Sequence, residues 1–316
     1  MHEKTLTAEL LDEIISKLNE LKRDYALFFE ALKKEYDKKN YIKIINKILE
    51  TTKNLTIANI TIKEISNYMD KESLSFLLDF MLLKDMSSFS EGLTESDFTA
   101  VKVLCVKTIG KYRDTKTVTP LLYCLNNKNE NYKIRLEIAE ALGKIGDNNA
   151  VDSLINVVKD EEEKSVYVRE SAAVALGMIG DMRAIEPFLG ILEAKKNFLS
   201  KFTFLKERII EALSKINFVP DDRIATALED ALMDSSAQVR LNALESISNS
   251  NLTQLFDNVK ELLHDEDEEV AKGAVITLYN LTDRKILDEI IADEHAPYYC
   301  KDTAREIIEE YEKDEE

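Results

Sequence analysis

The sequence predicts an all-α protein built from repeated helix pairs, and three observations support that prediction. Its 316 residues include only 8 glycines and 4 prolines, too few for the many tight turns of a sheet protein. Leucine, isoleucine, alanine, glutamate and lysine are abundant, which favours helices. Similar stretches also return about every 34 residues. Apolar residues make up 45% of the chain, enough for a folded core.

The repeat is clearest when YKIRLEIAEALGKIGD, which starts at Tyr132, is compared with YVRESAAVALGMIGD, which starts at Tyr167. If Arg135 and Arg169 are taken as anchors, alanine, leucine, glycine and aspartate recur at the same offsets from them. The same register predicts six anchors at intervals of 31 to 37 residues: Lys102, Arg135, Arg169, Lys206, Arg240 and Ala271.

Each repeat is predicted to hold two helices. Apolar residues around and after each anchor follow the helical period, which predicts the first helix. Gly146 and Gly180 are predicted to end that helix, because glycine accepts a left-handed backbone. Asp147 and Asp181 follow as expected N-caps of the second helix.

These residues resemble the HEAT repeat, in the short form named for phycobilisome lyases, whose pattern reads roughly V-R-x-x-A-A-x-A-L-G-x-I-G-D. The resemblance is close over residues 131–194 and weaker over about 98–292. It implies a right-handed superhelix, a HEAT-like solenoid, in which the helix with the V-R pair lines the concave side.

The resemblance also implies that aspartate–arginine pairs link neighbouring repeats. Asp234 lies six residues before Arg240, as in the family's pair. Lys102 and Ala271 stand where the pattern has arginine, so the series of pairs is expected to be incomplete.

We predict that residues 40–316 form one continuous solenoid of about eight helix pairs and that residues 1–39 form a separate element. Residues 7–37 follow a heptad pattern. This pattern predicts one helix that either caps the first repeat or binds a partner, including a second copy of the chain. Residues 87–97 are predicted to form a long loop, and residues 297–312 a last helix.

The charge distribution argues against two classes of partner. The formal net charge is −18, and residues 161–316 hold 35 acidic and 18 basic side chains. Such a surface repels phosphate backbones and anionic lipids, so we expect neither nucleic-acid nor membrane binding. The N-terminal sequence lacks the apolar core of a signal peptide, and no apolar run approaches the roughly 18 residues of a membrane span. We therefore expect a cytoplasmic protein.

No motif indicates catalysis, a metal or a cofactor. The three histidines and three cysteines include neither H-E-x-x-H nor C-x-x-C, and no glycine-rich phosphate loop occurs. One HEAT-repeat enzyme, deoxyhypusine hydroxylase, binds two irons through repeated His-Glu pairs. This chain has one such pair, His2-Glu3, which argues against that activity.

We therefore predict a non-catalytic scaffold that binds a basic or amphipathic protein segment on an acidic concave face. Positions at offsets of 1, 2, 5 and 9 from the anchors avoid the apolar stripe and should line that face, with an apolar window at Val174 and Met178. The simpler interpretation is a solvated face with no partner. The predicted partner-binding residues are Glu137, Glu140, Glu170, Val174, Met178, Glu207, Glu211 and Glu245.

The alternative function, a phycobilin lyase or isomerase-like subunit that acts on a tetrapyrrole or a phycobiliprotein, is implied by the resemblance alone. In that case Arg135, Arg169, Tyr132 and Tyr167 would contact the chromophore. The simpler interpretation is that the arginines link repeats and the tyrosines pack at helix starts.

Residues 195–208, KKNFLSKFTFLKER, interleave basic and aromatic residues, a pattern found in nucleic-acid contacts. Because the flanking repeats are acidic, we expect instead that the aromatic side chains lie in the core and the lysines solvate the turn.

Overall fold

The computed structural model describes residues 6–83, 87, 89, 94–195, 203–219 and 221–314. Within these ranges the chain forms eighteen α-helices and five short 3-10 turns, and no strand. The prediction of an all-α solenoid of repeated helix pairs is confirmed. The handedness of the superhelix, the number of helix pairs and the domain boundary at residue 39 remain predictions.

The chain divides into two compact units, Met1–Ala150 and Val151–Glu316. The helices of the first unit are α1 (Ala8–Glu20), α2 (Tyr25–Glu35), α3 (Lys38–Thr51), α4 (Leu55–Tyr68), α5 (Ser73–Met81), α6 (Glu95–Tyr112), α7 (Val118–Asn126) and α8 (Tyr132–Ile145). The helices of the second unit are α9 (Val151–Lys159), α10 (Val166–Ile179), α11 (Ile185–Lys195), α12 (Thr203–Lys215), α13 (Asp222–Leu232), α14 (Ala237–Asn249), α15 (Phe256–Glu261), α16 (Glu268–Leu281), α17 (Lys285–Ala292) and α18 (Tyr298–Asp314).

The helices that contain the anchors, here called anchor helices, pack side by side within each unit. In the first unit α6 packs against α8, and in the second α10, α12, α14 and α16 follow one another. Helices α10 and α12 approach closely where Gly177 lies against Ala212, and a Cβ at position 177 would collide with Ala212. Each intervening helix packs on the anchor helix that comes after it: α7 on α8 in the first unit, and α9, α13 and α15 on α10, α14 and α16 in the second.

Local sequence signals set the helix ends as predicted. Gly146 ends α8 and Gly180 ends α10, both with a left-handed backbone at φ +75°. The side chain of Asp147 accepts a hydrogen bond from the backbone of Asn149, and that of Asp181 accepts one from Arg183. Each aspartate therefore caps the short 3-10 turn that leads into the next helix.

The N-terminal segment differs from its prediction. Residues 7–37 form two helices, α1 and α2, and not one, because the chain turns between Leu21 and Asp24, where Asp24 has a left-handed backbone. The Tyr25 hydroxyl donates to the Leu21 carbonyl across this turn, at 3.0 Å. The heptad pattern marked the side chains that face a core, but it carried no information on the continuity of the helix.

The predicted loop at 87–97 ends earlier than expected. Thr94 and Asp97 form a capping box, so Glu95 already lies in the first turn of α6. Most of the remaining predicted loop lies outside the described residues. The predicted last helix at 297–312 corresponds to α18.

All three cysteines are buried as free thiols. Cys105 and Cys124 lie in the first unit and Cys300 in the second. Burial raises the pKa of each thiol, and that of Cys300 reaches about 11. Thiols in such surroundings are poor nucleophiles, so they serve as core residues.

Candidate protein-binding surface

Two of the repeat anchors hold their anchor helix against the helix that precedes it. Nε of Arg135 donates to the carbonyl of Leu125 at 2.8 Å, and Nε of Arg169 donates to that of Val158 at 2.9 Å. Both carbonyls lie in the last turn of a helix, α7 or α9, where a positive charge is favourable. Both arginines therefore serve in packing and lie almost completely buried.

Three anchors also reach forward to an acidic residue 25 to 28 positions later, just before the next anchor helix. These pairs are Lys102 with Glu130 at 3.0 Å, Lys206 with Asp234, and Arg240 with Asp265 at 2.6 Å.

The structure differs from the sequence at one expected pair and at one expected gap. The side chain of Asp234 binds Lys206, whereas Arg240 takes the Asp234 backbone carbonyl, at 2.7 Å. Lys102 makes its own buried ion pair, so the gap expected there is absent, while Ala271 has no charged side chain and leaves the series incomplete as expected. The flexible side chain of Lys102 reaches the acidic residue just before the next anchor helix, as the side chain of Arg240 does in its own repeat.

In the first unit, one predicted binding residue is not at the surface. Glu137 is buried, with Oε1 lacking a hydrogen-bond partner, while Glu140 is half-buried. Lys144 lies 3.4 Å from Glu140 and 3.8 Å from Glu137. Burial, with a smaller contribution from Glu140, raises the pKa of Glu137.

Exposure at the offset of Glu137, two residues after the anchor, differs between repeats. Asn242, at the same offset, is also buried and donates to the backbone carbonyl of Glu207 at 3.2 Å. Arg208, at that offset in α12, keeps 44% of its side chain accessible, so burial here depends on the neighbouring anchor helix. The prediction that this offset faces outward is wrong for Glu137 and Asn242.

The other predicted binding residues lie on three successive anchor helices of the second unit. Glu245 is exposed, as is Met178 with 44% of its surface accessible, and the rest are half-buried. We call these six residues the inner strip: Glu170, Val174 and Met178 on α10, Glu207 and Glu211 on α12, and Glu245 on α14.

The inner strip is less acidic than its sequence suggested, because cations are paired within it. Glu211 accepts hydrogen bonds from Arg208 at 2.7 Å and Lys215 at 2.6 Å. Burial alone would raise the pKa of Glu211, but these two hydrogen bonds lower it below its ordinary value. Glu207 accepts a hydrogen bond from the hydroxyl of Ser236 at 2.9 Å.

Glu170 stands in different surroundings. Burial raises its pKa; Arg208 opposes this effect, and the nearby negative charge of Glu207 adds to it. The negative charges of Glu170 on α10 and Glu207 on α12 therefore oppose each other, and Arg208, which offsets the charge of Glu170, is also hydrogen-bonded to Glu211.

Sequence reasoning missed three exposed aromatic residues. Tyr132 and Tyr167 were expected to pack at helix starts and Phe204 to lie in the core, but all three are exposed, with 57% of Tyr167 and 66% of Phe204 accessible. Tyr167 and Phe204 each stand two residues before an anchor, so their shared offset was the available signal.

The basic residues near Phe204 bind acidic neighbours. Lys206 forms an ion pair with Asp234, and Arg208 forms one with Glu211. Both cations are therefore engaged by carboxylates, which argues against a role in binding a phosphate backbone. Residues 196–202, which carry the other aromatic side chains of this segment, lie outside the described residues.

Neither a metal centre nor a membrane span emerges from the described part of the chain. No three His, Cys, Asp or Glu side chains are grouped there so that they could hold a metal ion. In that same part, every helix is too short or too polar to cross a bilayer.

Comparison with known families finds two matches. Residues 86–166 match the model of HEAT repeats, and residues 168–193 match the model of the PBS lyase HEAT-like repeat. No curated protein matches the sequence.

Solved structures similar to this chain include three helical-repeat proteins. The complex of CpcE and CpcF of phycocyanin lyase from Nostoc sp. PCC7120 is 21% identical, with a TM-score of 0.48, covering 75% of this chain and 87% of that chain. Human deoxyhypusine hydroxylase in complex with glycerol is 15% identical, with a TM-score of 0.37, covering 86% of this chain and 96% of that chain. The archaeal HEAT-like repeats protein from Thermococcus onnurineus NA1 is 14% identical, with a TM-score of 0.36, covering 84% and 98%.

At these identities and TM-scores the similar structures carry no conclusion about activity. The family models match the helices that hold the anchors at Lys102, Arg135 and Arg169, and the described helices pack as repeated pairs. The chain therefore contains HEAT repeats over residues 86–166 and a repeat of the PBS lyase HEAT-like type at residues 168–193.

Proposed function

We propose that the protein is a non-catalytic scaffold that binds a basic or amphipathic segment of another protein on the inner strip. HEAT repeats support an interaction role, because stacked helix pairs present an extended surface with room for a long segment. The observation that carries the proposal is the apolar window of Val174 and Met178 on α10, which follows Glu170 on the same helix and packs beside α12, the helix of Glu207.

The carboxylates and the apolar side chains of the inner strip affect different rates of binding. Exposed carboxylates attract a cationic segment and speed its encounter, an effect that salt screens over about 10 Å at 0.1 M. The apolar side chains lose water on contact and slow dissociation. Because Arg208 and Lys215 already bind Glu211, the attraction rests mainly on Glu170 and Glu245.

A site-specific crosslink tests the proposal. A photoreactive phenylalanine analogue replaces Met178 in the strip or, as a control, Met233, a methionine just after α13 that is 72% exposed against 44% for Met178. A protein that is captured by the Met178 variant and not by the Met233 variant is purified. Its association and dissociation rates with the wild-type chain are then measured at low and high salt.

The binding rates then decide the result. We expect Val174→Asp to speed dissociation roughly tenfold, and Glu170→Lys with Glu245→Lys to slow association at low salt. Equal capture at both methionines, or wild-type rates for both variants, would overturn the proposal.

The match to the PBS lyase HEAT-like repeat raises tetrapyrrole binding as the alternative function. Within the matched residues, Arg169, Ala173 and Gly177 are buried in helix contacts, so they support packing and not contact with a chromophore. We therefore favour protein binding. Titration with phycocyanobilin separates the two, because a saturable red-shifted 1:1 complex would favour the lyase-like function.

We also propose that α1 and α2 cap the first unit and do not serve as a dimerisation element. The apolar side chains of Phe29 and Leu32 are buried, and α2 packs on α3 and α4. Lys33 adds an ion pair to Glu64 of α4 at 2.9 Å. Three of the heptad residues, Ile14, Leu18 and Leu32, are thus buried within the unit, as a terminal cap requires.

A further inference from the structure

Two exposed aromatic rings occupy equivalent places on neighbouring anchor helices. Tyr167 of α10 precedes Arg169 by two residues, and Phe204 of α12 precedes Lys206 by two. The two helices pack closely, with Gly177 of α10 against α12. The rings therefore lie at the same end of one two-helix surface, and more than half of each is accessible.

A carboxylate accompanies each ring. Glu170 follows Tyr167 by three residues and Glu207 follows Phe204 by three, so each acid lies one helical turn beyond its ring on the same face. The negative charges of the two acids oppose each other, and Arg208, which offsets the charge of Glu170, is also bound to Glu211. Among the described residues, two rings and two acids thus lie at the same end of this two-helix surface.

We propose that Tyr167, Phe204, Glu170 and Glu207 form a binding site for an arginine side chain of the partner protein. The site rests on the proposed function, because that partner supplies the arginine. A guanidinium is planar and weakly hydrated, so it stacks on aromatic faces while its edge donates to carboxylates. The carboxylates of Glu170 and Glu207, each one helical turn from a ring, provide the acceptors and the negative charge that a guanidinium needs.

The position of the arginine site on α10 also indicates which side chains the rest of the partner segment carries. Along α10, Tyr167 and Glu170 are followed by Val174 and Met178 at steps of four residues, which places all four on one line. That line spans about 16 Å at 1.5 Å per residue. The partner segment therefore carries its arginine at one end and apolar side chains over the following 16 Å or so.

The test uses two small probes, N-acetyl-arginine amide and the uncharged isostere N-acetyl-citrulline amide, titrated into the whole protein. Binding is followed by NMR from the ring signals of Tyr167 and the methyl signal of Met178. We expect saturable shifts with the arginine probe and at least about fivefold weaker binding of the citrulline probe.

Variants locate the site. Tyr167→Leu and Phe204→Leu keep an apolar side chain but remove the ring, and Glu170→Gln removes one charge at constant shape. Each is expected to weaken arginine binding about fivefold. Tyr123→Leu removes an equally exposed ring on α7 of the first unit, and this control should bind as wild type does.

The outcomes separate this site from the proposed function. Equal binding of the two probes, no binding of either, or wild-type affinity in the Leu and Gln variants would overturn the arginine site. If Val174→Asp still speeds dissociation of the crosslinked partner in that case, the scaffold proposal stands without it. If Val174→Asp has no effect either, both proposals are wrong.

Discussion

In the second unit the guanidinium of Arg240 lies 2.6 Å from the carboxylate of Asp265, and both side chains are almost completely buried. The same Asp265 oxygen accepts the backbone N–H of Asp267 at 2.8 Å, so one carboxylate serves two repeats. The charge of Arg240 has this acid as its buried counterion, which makes the pair a point where neighbouring repeats depend on each other.

Removing that counterion should be costly. Asp265→Asn leaves a buried arginine uncompensated, so we expect the free energy of unfolding to fall by about 3–5 kcal/mol. Urea denaturation followed by circular dichroism measures the change. Asp302→Asn is the control, because Asp302 pairs with Arg305 at 2.6 Å where both side chains are more than half exposed, and such pairs contribute about 1 kcal/mol or less. Equal losses in both variants would contradict the role assigned to Asp265.

Replacing Gly177 or Gly190 by alanine should change the free energy of unfolding in opposite directions. A Cβ at Gly177 would lie 2.8 Å from the Ala212 backbone, so Gly177→Ala must separate α10 from α12, at about 1–3 kcal/mol. A Cβ at Gly190 in α11 meets nothing within 4 Å, and Gly190→Ala should stabilise the helix by up to about 1 kcal/mol. The melting temperatures of the two variants should therefore move apart, and a shift in the same direction would mean that the packing of α10 on α12 is wrong.

The buried carboxyl of Glu137 should make stability depend on pH. Its folded-state pKa is raised above the ordinary 4.5, mainly by burial, so its ionised form destabilises the fold at every pH above that raised value. Glu137→Gln is therefore expected to be more stable than wild type near about pH 7.5. That advantage should fade as pH falls to about 4, where Glu137 is protonated in both folded and unfolded states. Denaturation curves at several pH values measure this, and an advantage that grows as pH falls would contradict the assignment.

One helix offers a test of the N-terminal cap. Phe29 of α2 is 1% exposed, whereas Leu27 of the same helix is 69% exposed. Phe29→Ala should cost about 3–5 kcal/mol by opening a cavity, and Leu27→Ala about 0.5 kcal/mol or less. Chemical denaturation and analytical ultracentrifugation measure both variants. A wild-type dimer that Leu27→Ala converts to monomers would instead identify α2 as a dimerisation helix.

Local signals in the sequence were sufficient for the middle of the fold. The anchors, the glycines that end α8 and α10, and the aspartates that follow them each act within one or two turns, so their spacing predicts the helix pairs. The apolar offsets predicted the buried faces in the same way, as the complete burial of Ala139 and Ala173 illustrates.

Features that depend on a neighbouring helix were less predictable. Offsets within one helix cannot tell how far the next helix covers it, and this is why Glu137 was expected at the surface. Phe204 was assigned to the core because most phenylalanines are buried, although its place in the first turn of α12 leaves it exposed. The turn between α1 and α2 was missed because it falls inside an unbroken heptad pattern.

The three buried thiols have a practical consequence for the dynamics of the chain. A thiol with a raised pKa, shielded from reagent, reacts only during transient opening, so its labelling rate reports local unfolding. Cys105 and Cys300 report on different units, and a variant that keeps one of them isolates each signal. In repeat proteins stability is approximately the sum of neighbouring terms, so cooperativity along the chain is not guaranteed. If Cys105 and Cys300 are labelled at equal rates across a range of denaturant concentrations, the two units open together. If their labelling rates differ, one unit opens while the other stays closed.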